Sequence, residues 1–168
     1  MTISRLLDSD AAITLRKELR GLGQRLVFTN GCFDILHVGH VRYLEAARSL
    51  GDVLLVALNS DRSVRALKGP TRPVQTASDR AEVLLALRAV EYVVVFDDGT
   101  AERLVRVLQP DVYVKGGDYD PTAIEGTRVL PEARVVAEYG GQVVIIPFVD
   151  GYSTTQILRA AERAKEDQ

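Results

Sequence analysis

The chain of 168 residues contains two histidines, and they stand three positions apart, at His37 and His40, beside Gly31 and Gly39. Imidazoles donate hydrogen bonds to oxyanions and change charge near neutral pH. Glycines permit close backbone approach or a positive φ. The stretch Asn30-Gly31-Cys32-Phe33-Asp34-Ile35-Leu36-His37-Val38-Gly39-His40 follows the β-prone run Leu26-Val27-Phe28. It leads into Val41, Leu44, Ala47 and Leu50, which recur at helical spacing until Gly51. A strand therefore turns into a helix here. The free amides of the helix's first turn, with a macrodipole worth about half a positive charge, draw anions to such a junction. The pattern predicts a phosphate site. Two other readings compete: incidental histidines at a loop, and a metal pair sharing one helix face. No Cys, Asp or His cluster elsewhere supplies further ligands at recognisable spacing.

The elements that position this stretch follow from the rest of the chain. Leu26 to Phe28, Val53 to Leu58, Tyr92 to Phe96, Val112 to Val114 and Val143 to Ile146 are short apolar runs rich in β-branched and aromatic residues. Helical patterns lie between them at His40 to Leu50, Ala77 to Ala89, Ala101 to Leu108 and Pro131 to Tyr139, with Thr76 and Thr100 placed as N-caps. This alternation predicts a doubly wound α/β fold: a mainly parallel five-stranded sheet with helices on both faces. Ligands of such folds sit beyond the carboxyl ends of the strands, where strand order switches. Residues 1–24 read as an N-terminal helical extension, capped by Ser9 or Asp10, with Ile13, Leu19 and Leu22 on one side. Residues 25–168 form the main domain.

Composition narrows the function classes. A hydrophobic fraction of 46%, a charged fraction of 26% and a net charge of −2 describe a globular domain with no electrostatic case for a nucleic-acid partner. No apolar run has secretory or membrane-spanning length, so no membrane partner and a cytoplasmic location are expected. The single cysteine, Cys32, forms no internal disulfide. It reads as a small residue filling a tight turn, ahead of a nucleophile or a redox sensor.

Gly31-Cys32-Phe33-Asp34 followed by His37-Val38-Gly39-His40 resembles the G-x-F-D and H-x-G-H signature of the cytidylyltransferase-like nucleotidyltransferases. Within that superfamily the chain is most similar to the adenylyltransferases that make ADP-heptose from heptose 1-phosphate. Phe28-Thr29-Asn30-Gly31, Asn59-Ser60-Asp61, Leu67-Lys68-Gly69, Arg72-Pro73, Val114-Lys115-Gly116-Gly117-Asp118-Tyr119 and Asp150-Gly151-Tyr152-Ser153-Thr154-Thr155 carry that similarity. It implies a Rossmann-like nucleotidylyltransferase domain over 25–168 that transfers AMP from ATP to a sugar 1-phosphate and releases pyrophosphate. Magnesium is expected with ATP, because triphosphates are bound as its complex. A separate sugar kinase is implied in the same pathway, and homo-oligomerisation is common among relatives.

Adenylyl transfer needs an attacking oxygen, an α-phosphate held in line, and positive charge for the departing pyrophosphate. A phosphate monoester, with a second pKa of about 6, supplies its own nucleophile, so no protein base is required and positioning with electrostatics suffices. The resemblance makes His37, His40 and Lys68 catalytic. It gives the nucleotide Thr29, Asn30, Gly31, Phe33, Gly39, Lys115, Gly116, Asp118, Ser153, Thr154 and Thr155, the last three facing the β- and γ-phosphates. Lys68 would bridge the two substrates' phosphates, and Arg72 and Arg80 are further phosphate candidates. The stretch from Asp61 to Ala77 shows no helical or strand period and reads as a Gly/Pro-containing loop; a solvated surface loop is its plain alternative. Asp79 reads as the acidic member of a capping box with Thr76. Asp34 is expected to orient the turn or a histidine rather than to hold metal. Relatives acting on glycerol phosphate or choline phosphate carry G-D-D-W and R-T-E-G-I-S-T-S runs. Gly117 and Tyr119 depart from the first, and Phe148-Val149-Asp150-Gly151 lacks the arginine of the second, so another cation must compensate or the substrate differs. A cytidylyltransferase acting on glycerol 3-phosphate and a non-turnover nucleotide-binding module stay open as alternatives. A P-loop kinase is disfavoured because no G-x-x-x-x-G-K-[ST] string occurs.

Overall fold

The computed structural model describes residues 4–117, 119–123, 125–126, 129–147, 151–152 and 154–166. The apolar runs pair into a sheet of six strands, β1 (Leu6–Leu7), β2 (Leu26–Gly31), β3 (Val53–Asn59), β4 (Tyr92–Phe96), β5 (Val112–Gly116) and β6 (Gln142–Ile146). Their order is β1-β4-β3-β2-β5-β6, and every neighbouring pair is parallel. The doubly wound reading holds, with six strands in place of five. The added strand, β1, spans two residues and pairs with Val93 and Val94 at the sheet edge, too short to leave a period in the sequence.

Helices α1 (Ser9–Gly21), α2 (Val38–Arg48), α3 (Asp61–Lys68), α4 (Ala77–Ala86), α5 (Glu102–Leu108), α6 (Pro131–Glu138) and α7 (Thr154–Glu166) complete the described elements. Side-chain alternation along the strands splits the core into two layers. Leu26, Phe28, Leu55 and Ala57 pack on one face with Leu15, Leu19, Leu104 and Leu108 from α1 and α5. Val27, Leu54, Val56 and Leu58 pack on the other with Leu44, Ala81 and Leu84 from α2 and α4. The N-terminal segment is tied to the sheet by Arg16, buried at 5% exposure. Its guanidinium donates to the carbonyls of Leu108 and Gln109 and to both carboxylate oxygens of Asp111.

Local details correct the sequence reading at four places. Asp8, not Ser9 or Asp10, caps α1, its carboxylate accepting from Ala11 N at 2.8 Å. Helix α2 begins at Val38, with His37 as its N-cap residue. The stretch read as a loop after Asp61 opens with α3, capped by Ser60. This helix buries only Ser63 and Val64, so its period was too weak to read. Thr100 is not the cap of α5: its hydroxyl donates to Glu102, while the buried Glu132 carboxylate accepts from Ala101 N at 2.8 Å. Thr76 caps α4 as expected, its Oγ1 accepting from Asp79 N and donating to Asp79 Oδ2.

Candidate active site

Strand order reverses between β2 and β5, whose register runs Val27 to Val112, Phe28 to Tyr113 and Thr29 to Val114. An open cavity of about 580 Å³ lies beyond the carboxyl ends of these two strands. Lys115 bridges the switch point, its Nζ donating to the backbone oxygen of Asn30 at 3.1 Å and to Asn30 Oδ1 at 3.2 Å. Tyr113 donates to the same Oδ1 at 2.7 Å. The Asn30 side chain is thereby fixed at the cavity wall. Tyr43, from α2, reaches under the wall: its hydroxyl donates to Val114 O at 3.2 Å and lies 2.6 Å from Thr29 Oγ1.

The chain leaves β2 through Phe33 at φ 41°, a left-handed conformation rare for a bulky residue and a mark of a constrained functional turn. That turn folds the Phe33 ring back over the strand end. A Cβ on Gly31 would meet Phe33 Cε2 at 3.0 Å, so glycine here serves close approach, not a positive φ. The Phe33 ring then lies 5.5 Å from that of His40, tilted by 59°. His37 and His40 face one another with ring centroids 4.0 Å apart. Gly39 makes room for the pair: a Cβ there would lie 2.9 Å from His37 Cε1 and Nδ1. Both histidine Nδ1 atoms are buried without a hydrogen-bond partner.

The expectation that these imidazoles charge near neutral pH is corrected by their surroundings. Burial, then His37, then Lys68 push the His40 pKa down to about 4, and burial lowers that of His37. The rings are neutral donors at pH 7. A folded-state pKa below the ordinary 6.5 means that the unfolded chain binds the proton more tightly. The stability that neutral His40 contributes is therefore complete above pH 6.5 and is lost as pH falls toward 4. An anion bound against the rings reverses the bias. Nucleotide binding is expected to take up protons between pH 4 and 6.5, read as a dependence of calorimetric binding enthalpy on buffer ionisation heat, and that dependence should shrink in His40→Gln. An enthalpy independent of buffer throughout this window would refute the linkage.

Lys68, the last residue of α3, lines the cavity and acts electrostatically on His40. Asn30, Gly31, Phe33, Gly39, Lys115, Gly116 and Thr154 also line it, so the structure brings together most of the residues singled out in the sequence. Thr154 donates to Ile35 O at 3.3 Å, joining the start of α7 to the histidine loop. Thr155 lies in the first turn of α7, while Asp118 and Ser153 fall outside the described residues.

Three candidates are held elsewhere. Thr29 is fully buried against Tyr43 and does not line the cavity. Arg80 is fully buried too, donating to Gln75 O at 3.1 Å, Cys32 O at 2.6 Å and Asp61 Oδ1 at 2.7 Å. Turning it from Asp61 toward a substrate would strand a buried charge, at a cost of about 3–5 kcal/mol. Arg72 Nε lies 2.6 Å from Asp34 Oδ2. Asp34, 3% exposed, also accepts from Val74 N at 2.8 Å and Gln75 N at 3.4 Å; it orients the segment after Lys68, not a histidine. Arg80 and Asp34 thus brace the histidine loop against that segment. Tyr43, Tyr152 and Gln156 line the cavity without having been singled out as site residues. Tyr43 stands three residues after His40, a helical neighbour that the reading of α2 as core-packing left aside.

Among the described residues no three His, Cys, Asp or Glu side chains gather to hold a metal ion. The carboxylate at the cavity, Asp34, is committed to Arg72 and two amides. The donor set fits a divalent ion carried by phosphate oxygens and water rather than one caged by the chain.

The profile of the cytidylyltransferase-like family matches residues 28–160. The chain belongs to this family. The cytidylyltransferase-like domain thus spans both strands of the switch point, the histidine pair and the first half of α7, and with it comes the nucleotidyltransferase class of enzyme. The bifunctional protein HldE of Geotalea uraniireducens is 54% identical over 152 residues, covering 90% of this chain and 29% of that protein. HldE of Syntrophotalea carbinolica is 50% identical over 159 residues, covering 90% and 31%. The chain spans about a third of the length of these curated relatives. The crystal structure of a lipopolysaccharide core biosynthesis protein from Thermoplasma volcanium matches with TM-score 0.58 and 27% identity, covering 78% of this chain and all of that one. A pantoate-beta-alanine ligase from Francisella tularensis shares the fold at TM-score 0.60 and 15% identity, over 94% of this chain and 76% of that one.

Proposed function

We propose that the chain transfers AMP from ATP to heptose 1-phosphate, giving ADP-heptose and pyrophosphate. One observation carries the reading: two neutral imidazoles, their centroids 4.0 Å apart at the N-terminus of α2, open into a cavity at the switch point, with Lys68 beside them. Similarity to HldE proteins and to a lipopolysaccharide core biosynthesis protein favours a sugar phosphate as acceptor. In the reaction, an oxygen of the acceptor's phosphate attacks the α-phosphorus of ATP. The new P–O bond forms as the bond from that phosphorus to the bridging oxygen breaks, and the electron pair leaves with pyrophosphate. At neutral pH the attacking monoester is largely dianionic and no proton need be removed.

The chain's own residues then act by position and charge. His37 and His40 donate to oxygens around the transferring phosphorus, and Lys68 spans the acceptor's phosphate and the nucleotide. The fixed Asn30 amide, Lys115 and Gly116 form the wall for base and ribose, and the start of α7 meets the outer phosphates with its free amides. Asp34 and Arg80 hold the histidine loop and the segment after Lys68 in register. A divalent ion, magnesium in this reading, would neutralise the triphosphate and arrive with it. In this reading a separate sugar kinase supplies the 1-phosphate. No described helix is long and apolar enough to cross a membrane. A cytoplasmic homo-oligomer completes the proposal.

A panel of ATP and CTP against heptose 1-phosphate, hexose 1-phosphate and glycerol 3-phosphate, scored by pyrophosphate release, tests it. ATP with heptose 1-phosphate is expected to turn over fastest. Preference for CTP with glycerol 3-phosphate, or nucleotide binding without acceptor-dependent pyrophosphate, would overturn it.

A further inference from the structure

Positive charge at the cavity is scarce relative to what a triphosphate brings. The histidines are neutral at pH 7, Arg72 and Arg80 are paired with Asp34 and Asp61, and Lys115 is bonded to Asn30. Of the lysines that line the cavity, Lys68 lies at the histidine end.

Arg42 lies beside the part of the cavity wall that Tyr152 forms. It follows Gly39 by three residues on α2 and so shares its helix face. Tyr152 sits directly above that face: its Cβ would be 3.3 Å from a Cβ built on Gly39. The Tyr152 ring lines the cavity, is 45% exposed, and carries the Arg42 guanidinium 5.7 Å from its centroid. Among the described residues no carboxylate pairs with Arg42, in contrast to Arg72 and Arg80. A guanidinium lying on an aromatic face keeps its N–H donors at its edge, pre-set for phosphate oxygens. The pair also spans two helix starts, since Arg42 belongs to the second turn of α2 and Tyr152 precedes α7 by two residues. Anionic charge concentrates between two such starts.

We propose that Arg42, steadied on the Tyr152 ring, is the cation that binds the outer phosphates of the nucleotide and the departing pyrophosphate. This rests on the nucleotide reading above and assigns Arg42 to the side of the cavity away from the acceptor. The test is calorimetric titration of the full chain with ATP, AMP and pyrophosphate. Arg42→Gln is expected to weaken ATP and pyrophosphate by about tenfold, the loss of one charge-assisted contact, and to leave AMP unchanged. Arg42→Lys should recover part of the loss. Tyr152→Leu should reproduce most of it, while Tyr152→Phe, which keeps the ring, should bind as wild type. Arg42 is exposed on a helix surface, so these variants should fold, and unchanged unfolding midpoints establish it. An unchanged ratio of ATP to AMP affinity in Arg42→Gln, or a defect confined to the KM of the sugar 1-phosphate, overturns the assignment while leaving the proposed reaction intact. A wild-type chain that binds no ATP overturns both.

Discussion

His40→Ala is expected to lower pyrophosphate release by about 10²–10³-fold, the cost of removing one preorganised donor from a site where charge develops. His40 is the more deeply enclosed of the pair, with Phe33 on one side and His37 on the other. Its ring is held before any substrate arrives and pays no reorganisation when the phosphorus becomes five-coordinate. The loss should appear in kcat, with ATP affinity changed by less than about tenfold, because the amides of α2, the Asn30 wall and α7 survive the substitution. The variant also relieves a buried ring that resists protonation. Its stability should consequently fall less than wild type's between pH 6.5 and 4, where the neutral form of His40 is lost. Pyrophosphate release at wild-type rate in His40→Ala would remove the histidine pair from the chemistry and leave the cavity as a binding site alone.

What the sequence discloses and what it hides divide along physical lines. Strands β2 to β5 are buried on both faces or nearly so and β6, at the sheet edge, is half-buried; continuous apolar runs advertise such burial wherever a strand is long enough. β1 fails the condition with two residues, and α3 fails it with two buried positions in eight. The histidine motif is legible because both histidines of the chain fall in it and local backbone geometry fixes their relation. The fate of the arginines is not legible, because it depends on which carboxylate lies across the fold. Arg72 meets Asp34 over a separation of 38 residues, and Arg80 meets Asp61 over 19. The protonation state of the histidines is hidden for the same reason: burial sets it first, and at His40 the distant Lys68 adds to the effect of its neighbour His37. Tyr43 and Tyr152 enter the site through tertiary contact, and nothing about an isolated tyrosine in a helix or before one announces it.

The braces around the motif explain why so small a site needs so much buried polarity. Asp34 and Arg80 are both nearly free of solvent, and a buried ion pair seldom repays its desolvation in stability. What these two secure is relative position: Arg80 fixes the Cys32 carbonyl to the first residue of α3, whose last residue is Lys68, and Asp34 fixes the next segment to the same loop. Lys68 and the histidines therefore sit on one rigid frame, which is what catalysis by positioning demands.

Gly39→Ala should separate activity from stability, because the two respond to the new methyl with opposite signs. Gly39 is the second residue of α2 and has no positive φ, so alanine fits the helix and its propensity favours it, by up to about 1 kcal/mol. The unfolding midpoint should hold or rise. The Cβ, however, would stand 2.9 Å from two atoms of the His37 ring and 3.3 Å from Tyr152 Cβ. Something must move, and the ring is the freer of the two. A displaced His37 loses its ring contact with His40 and its aim at the phosphorus, and a misplacement of about 1 Å costs about 10² in rate. If the methyl acts through His37, then adding Gly39→Ala to His37→Ala should cost little more than His37→Ala alone, the non-additivity expected of one shared mechanism. Full additivity in that double-mutant cycle would point instead to the Tyr152 contact, and wild-type turnover in Gly39→Ala would show that the histidine pair does not need the space glycine leaves it.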